Sequence, residues 1–245
     1  ALPICGKSCF DVSHKGYAGE SLGGILGSGF TSIDASLKAS VLYVGGGELT
    51  QLVRGEAENR YLFLLGVAEN CVKILLPGGK PDSTCGVKNP LAFEFSDSPA
   101  AENLFFTVAQ MLIDKSDPAV FAAGKYRRPF FEANRANSLL MVESVGEKTV
   151  TNFSTEVLAV SFDVPHLGSV AHDVPGLSKV DQRNCPANTG GSATGAVCGF
   201  VQIPVPESEK KAAHTYPLTS PEGSKMGADF LISALKAGQA SITPP

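Results

Sequence analysis

The pattern of apolar and polar positions divides this chain into short strands bounded by glycine and proline turns, with helical spacing in a few places. Ser36–Val44 is an apolar run that stops at Gly45-Gly46-Gly47, the signature of a strand and a turn. Glu48–Arg54 reads as the next strand, followed by Tyr61–Val67 and Cys71–Leu76. In the last of these, Val72, Ile74 and Leu76 alternate with Lys73. Leu91, Phe93 and Phe95 alternate in the same way around Glu94. The whole stretch Arg60–Phe95 is the most apolar and best punctuated part of the chain. Further on, Leu139–Val145, Lys148–Phe153 and the run Leu158, Val160, Phe162, Val164 predict a meander with apolar residues inward. Val197, Gly199, Val201, Ile203 and Val205 mark one more strand.

Helical spacing is clearest over residues 98–114. Ser98 is a suitable N-cap, Pro99 suits the first helical position, and Glu102 lies in the first turn, where the dipole favours it. Ala101, Leu104, Phe105, Val108, Met111 and Leu112 fall on one face. A shorter helix starts at Asp117-Pro118 and runs to Ala123, with Gly124 as its stop. The last helix spans 224–237 with Gly238 beyond it, docking through Phe230, Leu231, Ala234 and Leu235. The fold expected from these elements is α+β. It is a single domain over residues 1–245, an antiparallel, barrel-like sheet with two packed helices. Residues 1–30 form a glycine-rich N-terminal arm and 206–223 a polar, proline-bounded surface excursion.

Composition narrows the class. Charged residues are only 18% of the 245, while glycine (26) and proline (16) are plentiful, which suits a turn-rich sheet protein. A net charge of −4 with no basic run beyond Arg127-Arg128 and Lys210-Lys211 argues against nucleic-acid binding. No apolar run reaches the roughly 20 residues of a membrane helix. The chain starts ALPIC rather than with Met and carries an even number of cysteines (6), the pattern of a secreted protein after signal-peptide removal. The simplest disulfide pairing joins neighbours: Cys5–Cys9, Cys71–Cys85 and Cys185–Cys198. Asn152-Phe153-Ser154 is a glycosylation sequon, with Asn152 as the acceptor.

Gly19-Glu20-Ser21-Leu22-Gly23 matches the G-x-S-x-G nucleophile elbow of α/β-hydrolases, whose chemistry needs a strand before the serine and a helix after it. Few residues precede Ser21, and Gly24, Gly27 and Gly29 make a poor helix, so the expectation here is a glycine-rich loop. His166, His172 and Asp173 carry donor types that suit zinc or copper, without a known metal spacing; loop histidines are the simpler reading. Glu56 with Glu58, and Glu94 with Asp97, are acidic pairs of the type used in glycoside hydrolysis, read as solvated charges.

Ser13-His14-Lys15-Gly16, the strand pair Ser36–Val44 and Glu48–Arg54, and the run Val72–Gly79, Gly86–Phe95, Asp97–Ala101 together resemble the catalase-like family of haem catalases and their shorter peroxidase relatives. The resemblance implies a haem cofactor and peroxide as the small-molecule partner. It also implies a distal acid/base role for His14 and a propionate contact for Arg54. The family's distal asparagine falls at Lys88, with Asn89 one position away. The Arg-x-x-x-Tyr motif that supplies the family's haem ligand is not present. Two functions follow as expectations. One is a secreted haem protein acting on peroxide, or a relic of such an enzyme. The other is a non-enzymatic extracellular binding protein with an apolar cavity.

Overall fold

The computed structural model describes residues 13–55, 99–126, 137–179, 185, 195–236 and 238–245. Among the described residues four strands form one sheet in the order β1 (Lys15–Glu20), β2 (Leu37–Tyr43), β3 (Ser138–Val145) and β4 (Cys198–Pro204). Every pairing is parallel: Tyr43 lies opposite both Glu20 and Val142, and Val142 lies opposite Val201. The expected antiparallel, barrel-like sheet is therefore wrong; this is an open parallel α/β sheet.

The helices are α1 (Leu22–Ile33), α2 (Leu49–Gly55), α3 (Pro99–Ile113), α4 (Pro118–Ala123), α5 (Asn152–Phe162), α6 (Tyr216–Thr219) and α7 (Pro221–Lys236). Right-handed crossovers between successive neighbours place their helices on one face. Accordingly α1, α4 and α5 pack together on one side of the sheet, while α7 returns across the other side against β1, β2 and β3. Leu42, Leu139, Met141, Cys198 and Phe200 face the first layer with Leu158 and Phe162. Ala39, Val41, Tyr43, Leu140, Val142 and Val201 face the second with Met226 and Phe230. Cys185 and Cys198 are joined by a disulfide at the start of β4. Among the described residues no helix is long and apolar enough to cross a membrane.

Coverage on both faces explains why the sequence pattern misled. A strand buried on both sides needs no polar alternation, and seven of the eight positions of β3 are buried. The antiparallel reading assumed one wet face. Two expected strands are helices. Residues 49–55 form α2. The supposed alternation over 158–164 is the edge of α5, whose buried positions Ser154, Thr155, Leu158, Ala159 and Phe162 follow helical spacing. Thr151 caps its N-terminus by accepting from the Ser154 N–H at 3.4 Å, and Asp163 ends it in the left-handed region at φ 58°. The expected meander over 138–164 is thus a single strand followed by a helix.

Three expected helices are present, α3, α4 and α7, with α7 starting at Pro221. On the predicted apolar face of α3, however, Leu104, Val108, Met111 and Leu112 are exposed, while Phe106 is buried. The excursion over 206–223 is a 3₁₀ segment, Glu207–Ala212, followed by α6. The Arg60–Phe95 stretch, with Cys71, Cys85 and Asn89, lies outside the described residues, as do Cys5 and Cys9.

Candidate active site at the carboxyl end of the sheet

In a parallel α/β sheet, sites form at the carboxyl ends of the strands. Here that rim begins at Ser21. It is the single residue between β1 and α1, and its backbone has φ 56° and ψ −120°. A non-glycine residue rarely adopts this conformation and holds it only where the surroundings dictate it. They do so here. The Ser21 N–H donates to the Tyr43 carbonyl at 3.1 Å, and the Ser21 carbonyl accepts the Ile25 N–H at 2.9 Å. A Cβ at Gly19 would collide with the Gly23 carbonyl, which accepts a 2.6 Å hydrogen bond from the Tyr17 hydroxyl. A Cβ at Gly24 would stand 2.8 Å from Gly45 Cα and from the Tyr43 carbonyl oxygen.

The loop expected around Ser21 is therefore a strand, a sharp turn and a twelve-residue helix. Glycine content hid the helix. Its small residues Gly24, Gly27, Ser28, Thr31 and Ser32 are its buried side, where the backbone approaches the sheet closely. Propensity, about 1 kcal/mol per glycine, is outweighed by that packing.

The second part of the rim comes from far along the chain. Glu147 lies just past β3, and its Oε1 stands 3.0 Å from His214 Nδ1. The same oxygen accepts the Val150 N–H at 3.0 Å and the Thr149 N–H. The Glu147 side chain is 2% exposed and that of His214 28%. His214 follows the 3₁₀ segment, and the Ser144 hydroxyl ties that segment down by donating to the Ala213 carbonyl at 2.6 Å. Asn152 braces the turn between them. Its Oδ1 accepts the Gly146 N–H at 2.7 Å, and its Nδ2 donates to the Ser144 carbonyl at 2.6 Å.

Electrostatics bind the pair together and to β1. Burial pushes the Glu147 carboxyl up. The hydrogen bonds from His214 and the two backbone N–H groups outweigh it and hold the carboxyl below the usual range. The hydrogen bond to Glu147 raises His214 against the effect of burial, and Glu20 raises it further. Burial raises Glu20 itself, with His214 acting in the opposite direction. Tyr43, opposite Glu20 in the sheet, is pushed up to about 12 by burial and then by the Glu20 charge. Glu20 thus lies within electrostatic reach of both His214 and Glu147, one residue before Ser21. A cleft of about 390 Å³ opens beside the pair, walled by Glu147, His214, Lys148, Lys210 and Lys211. Among the described residues Ser21 is not one of its walls.

A second polar cluster sits on the other face of β3. Glu143 is wholly buried, and burial, followed by the Glu156 charge, pushes its carboxyl up to about 9. His172 Nε2 stands 2.5 Å from Glu156 Oε1 and 3.7 Å from Glu143 Oε1. Of the three residues weighed from sequence as metal ligands, only His172 joins this cluster. Asp173 pairs with Lys179 on the surface. The His166 ring is packed edge-to-face on Phe200 at 5.2 Å.

The residues drawn from the catalase-like resemblance fall elsewhere. His14 is exposed at the amino end of β1, beside the Ser13 hydroxyl at 3.0 Å. Arg54 is on α2, beyond the carboxyl end of β2, where its guanidinium donates to Asn103 Oδ1 at 2.5 Å and lies 5.9 Å from the Phe106 ring centroid. Asn89 is outside the described residues, as are the acidic pairs at 56, 58, 94 and 97. Comparison with family models, curated proteins and solved structures gives no match.

The motif marks Ser21 in the sequence, while the glycines around it point to a loop. Glu147 and His214 carried no signal, since an acid and a histidine separated by 67 positions become a pair only through the sheet.

Proposed function

We propose that this chain is a serine hydrolase that cleaves carboxylic esters, with Ser21 as nucleophile, His214 as general base and Glu147 as the acid that orients it. The observation that carries this reading is the backbone of Ser21. It turns sharply between a parallel strand and a helix at the rim that also holds the Glu147–His214 pair. That strand–turn–helix context is the one a G-x-S-x-G motif requires, and Ser, Glu, His is the chain order of the α/β-hydrolase triad.

The chemistry follows from the roles. Ser21 Oγ attacks the ester carbonyl carbon and its proton passes to His214 Nε2, the ring nitrogen turned away from Glu147. The imidazolium so formed is stabilised by the Glu147 carboxylate. The oxyanion is met by the Leu22 N–H at the amino end of α1, where backbone donors and the helix dipole favour negative charge. His214 then gives the proton to the departing alcohol, leaving an acyl-serine. Water, deprotonated by His214, releases the acid and restores Ser21. Leu22 and Leu26, one turn apart and both exposed on α1 next to Ser21, offer an apolar track for the acyl group.

The test is labelling with a fluorophosphonate probe together with hydrolysis of p-nitrophenyl butyrate. Covalent modification mapped to Ser21, and loss of both signals in Ser21→Ala, is the expected result. A folded wild-type protein that neither turns over the ester nor takes the label discards the reading.

A further inference from the structure

We propose that Glu143, Glu156 and His172 form a binding site for a divalent transition-metal ion of the zinc class. The site lies on the opposite face of β3 from Ser144 and is independent of the serine chemistry.

Three elements bring the donors together. Glu143 projects from the carboxyl end of β3 toward the α5 layer, Glu156 comes from the second turn of α5, and His172 comes from the segment between α5 and β4. One ligand atom from each lies within 4.8 Å of the other two. Ligands held at about 2.0–2.2 Å around a tetrahedral ion stand about 3.3–3.6 Å apart. The 3.7 Å between His172 Nε2 and Glu143 Oε1 is close to that spacing. The 2.5 Å between His172 Nε2 and Glu156 Oε1 has to open by about 1 Å, within reach of a rotation of the half-exposed His172 ring.

The independent sign of a ligand is Glu143 itself. Its side chain is 0% exposed, and its Oε2 has no hydrogen-bond partner among the described residues. A buried carboxyl oxygen without a hydrogen-bond partner is costly, and a cation bound there supplies one. Gln202 does not resolve this. Its Oε1 is held by the Ala171 and His172 N–H groups at 2.9 and 3.2 Å, so its amide nitrogen is turned toward Glu143 Oε1 at 3.2 Å and the His172 ring at 3.2 Å rather than toward Oε2. Those same two bonds set the backbone of His172. The His172 side chain is 40% exposed, which leaves a route for the ion and room for water as a further ligand. One imidazole with two carboxylates suits zinc; an all-oxygen set would suit calcium or magnesium.

The experiment is calorimetric titration of the chelator-treated full chain with zinc chloride, with calcium and magnesium chloride in parallel, and melting curves with and without zinc. The expected result is one zinc per chain, a higher melting temperature with zinc, and no response to calcium. His172→Ala and Glu143→Gln should each weaken zinc binding at least tenfold and abolish the melting shift. His172 is exposed enough for its alanine variant to fold, and Glu156→Gln serves as the second variant should Glu143→Gln be unstable. No zinc binding by the wild type, zinc binding unchanged in His172→Ala, or calcium bound more tightly than zinc overturns the proposal. None of these readouts depends on ester turnover.

Discussion

His214 Nδ1 and Glu147 Oε1 meet at 3.0 Å although 67 positions separate them in the chain, and each moves the other's proton equilibrium toward the charged pair. The Glu147 hydrogen bond raises His214. The stability it contributes is therefore fully present below the ordinary histidine value and is lost as pH rises through the raised one. The proposed ester hydrolysis needs the neutral imidazole, so the acid limb of its rate–pH profile should lie above that of an unperturbed histidine. Glu147→Gln should lower kcat about 10³–10⁴-fold and shift that limb to lower pH, measured on p-nitrophenyl butyrate.

Ser21 holds φ 56° at the turn, a conformation that costs a side-chain-bearing residue about 1–3 kcal/mol. Ser21→Gly should relieve part of it. We expect a gain of about 1 kcal/mol, or about 2–4 °C in Tm, together with complete loss of turnover. A melting curve and an activity assay on the same preparation check both. A Tm that falls would show that the turn is not strained.

Gly24 is where α1 touches the loop after β2, 2.8 Å from a Cβ to Gly45 Cα. Backbone on both sides leaves nothing flexible to give. Gly24→Ala should cost about 2 kcal/mol or more in denaturant unfolding and displace the turn enough to lower activity. Gly29→Ala, whose Cβ would meet only Phe121 at 4.0 Å, is the control and should be neutral or stabilising.

Lys125 is fully buried, with Nζ donating to the Thr31 carbonyl at 2.9 Å and over the Tyr126 ring at 5.0 Å. Burial pushes its ammonium down to about 7. The unfolded chain then binds more protons between about pH 7 and the ordinary lysine value near 10.4, so stability from this group rises with pH across that window. Lys125→Met should stabilise the protein by about 1–2 kcal/mol at pH 6, and the gain should shrink toward pH 10. Urea unfolding at several pH values measures it.

Part of this architecture was legible in the residues. The core strands at 37–43, 138–145 and 198–204 and the helices at 99–113, 118–123 and 221–236 follow from apolar runs, caps and glycine stops. Strand direction was not legible. Val41, Leu42, Leu140 and Met141 are buried whichever way their neighbours run, so an apolar run says only that both faces are covered. The helix at 152–162 was hidden because Val157, Val160 and Phe162 carry strand preferences that tertiary packing overrode. The site divided in the same way. Ser21 stood inside a recognisable motif, yet its meaning depended on a strand and a helix that glycine content argued against.

The sequence by itself determined which segments are apolar enough to be core, where several helices start and stop, and that Gly19-Glu20-Ser21-Leu22-Gly23 has the spacing of a nucleophile turn. Tertiary structure alone decided that the sheet is parallel, that Ser21 is forced to a positive φ, and that Glu147 meets His214 while Glu143 meets His172. The physical reason is range. Caps, turns and periodicity are written within a few residues. Strand direction and long-range pairs are fixed only when crossovers of one hand bring distant carboxyl ends to a common rim.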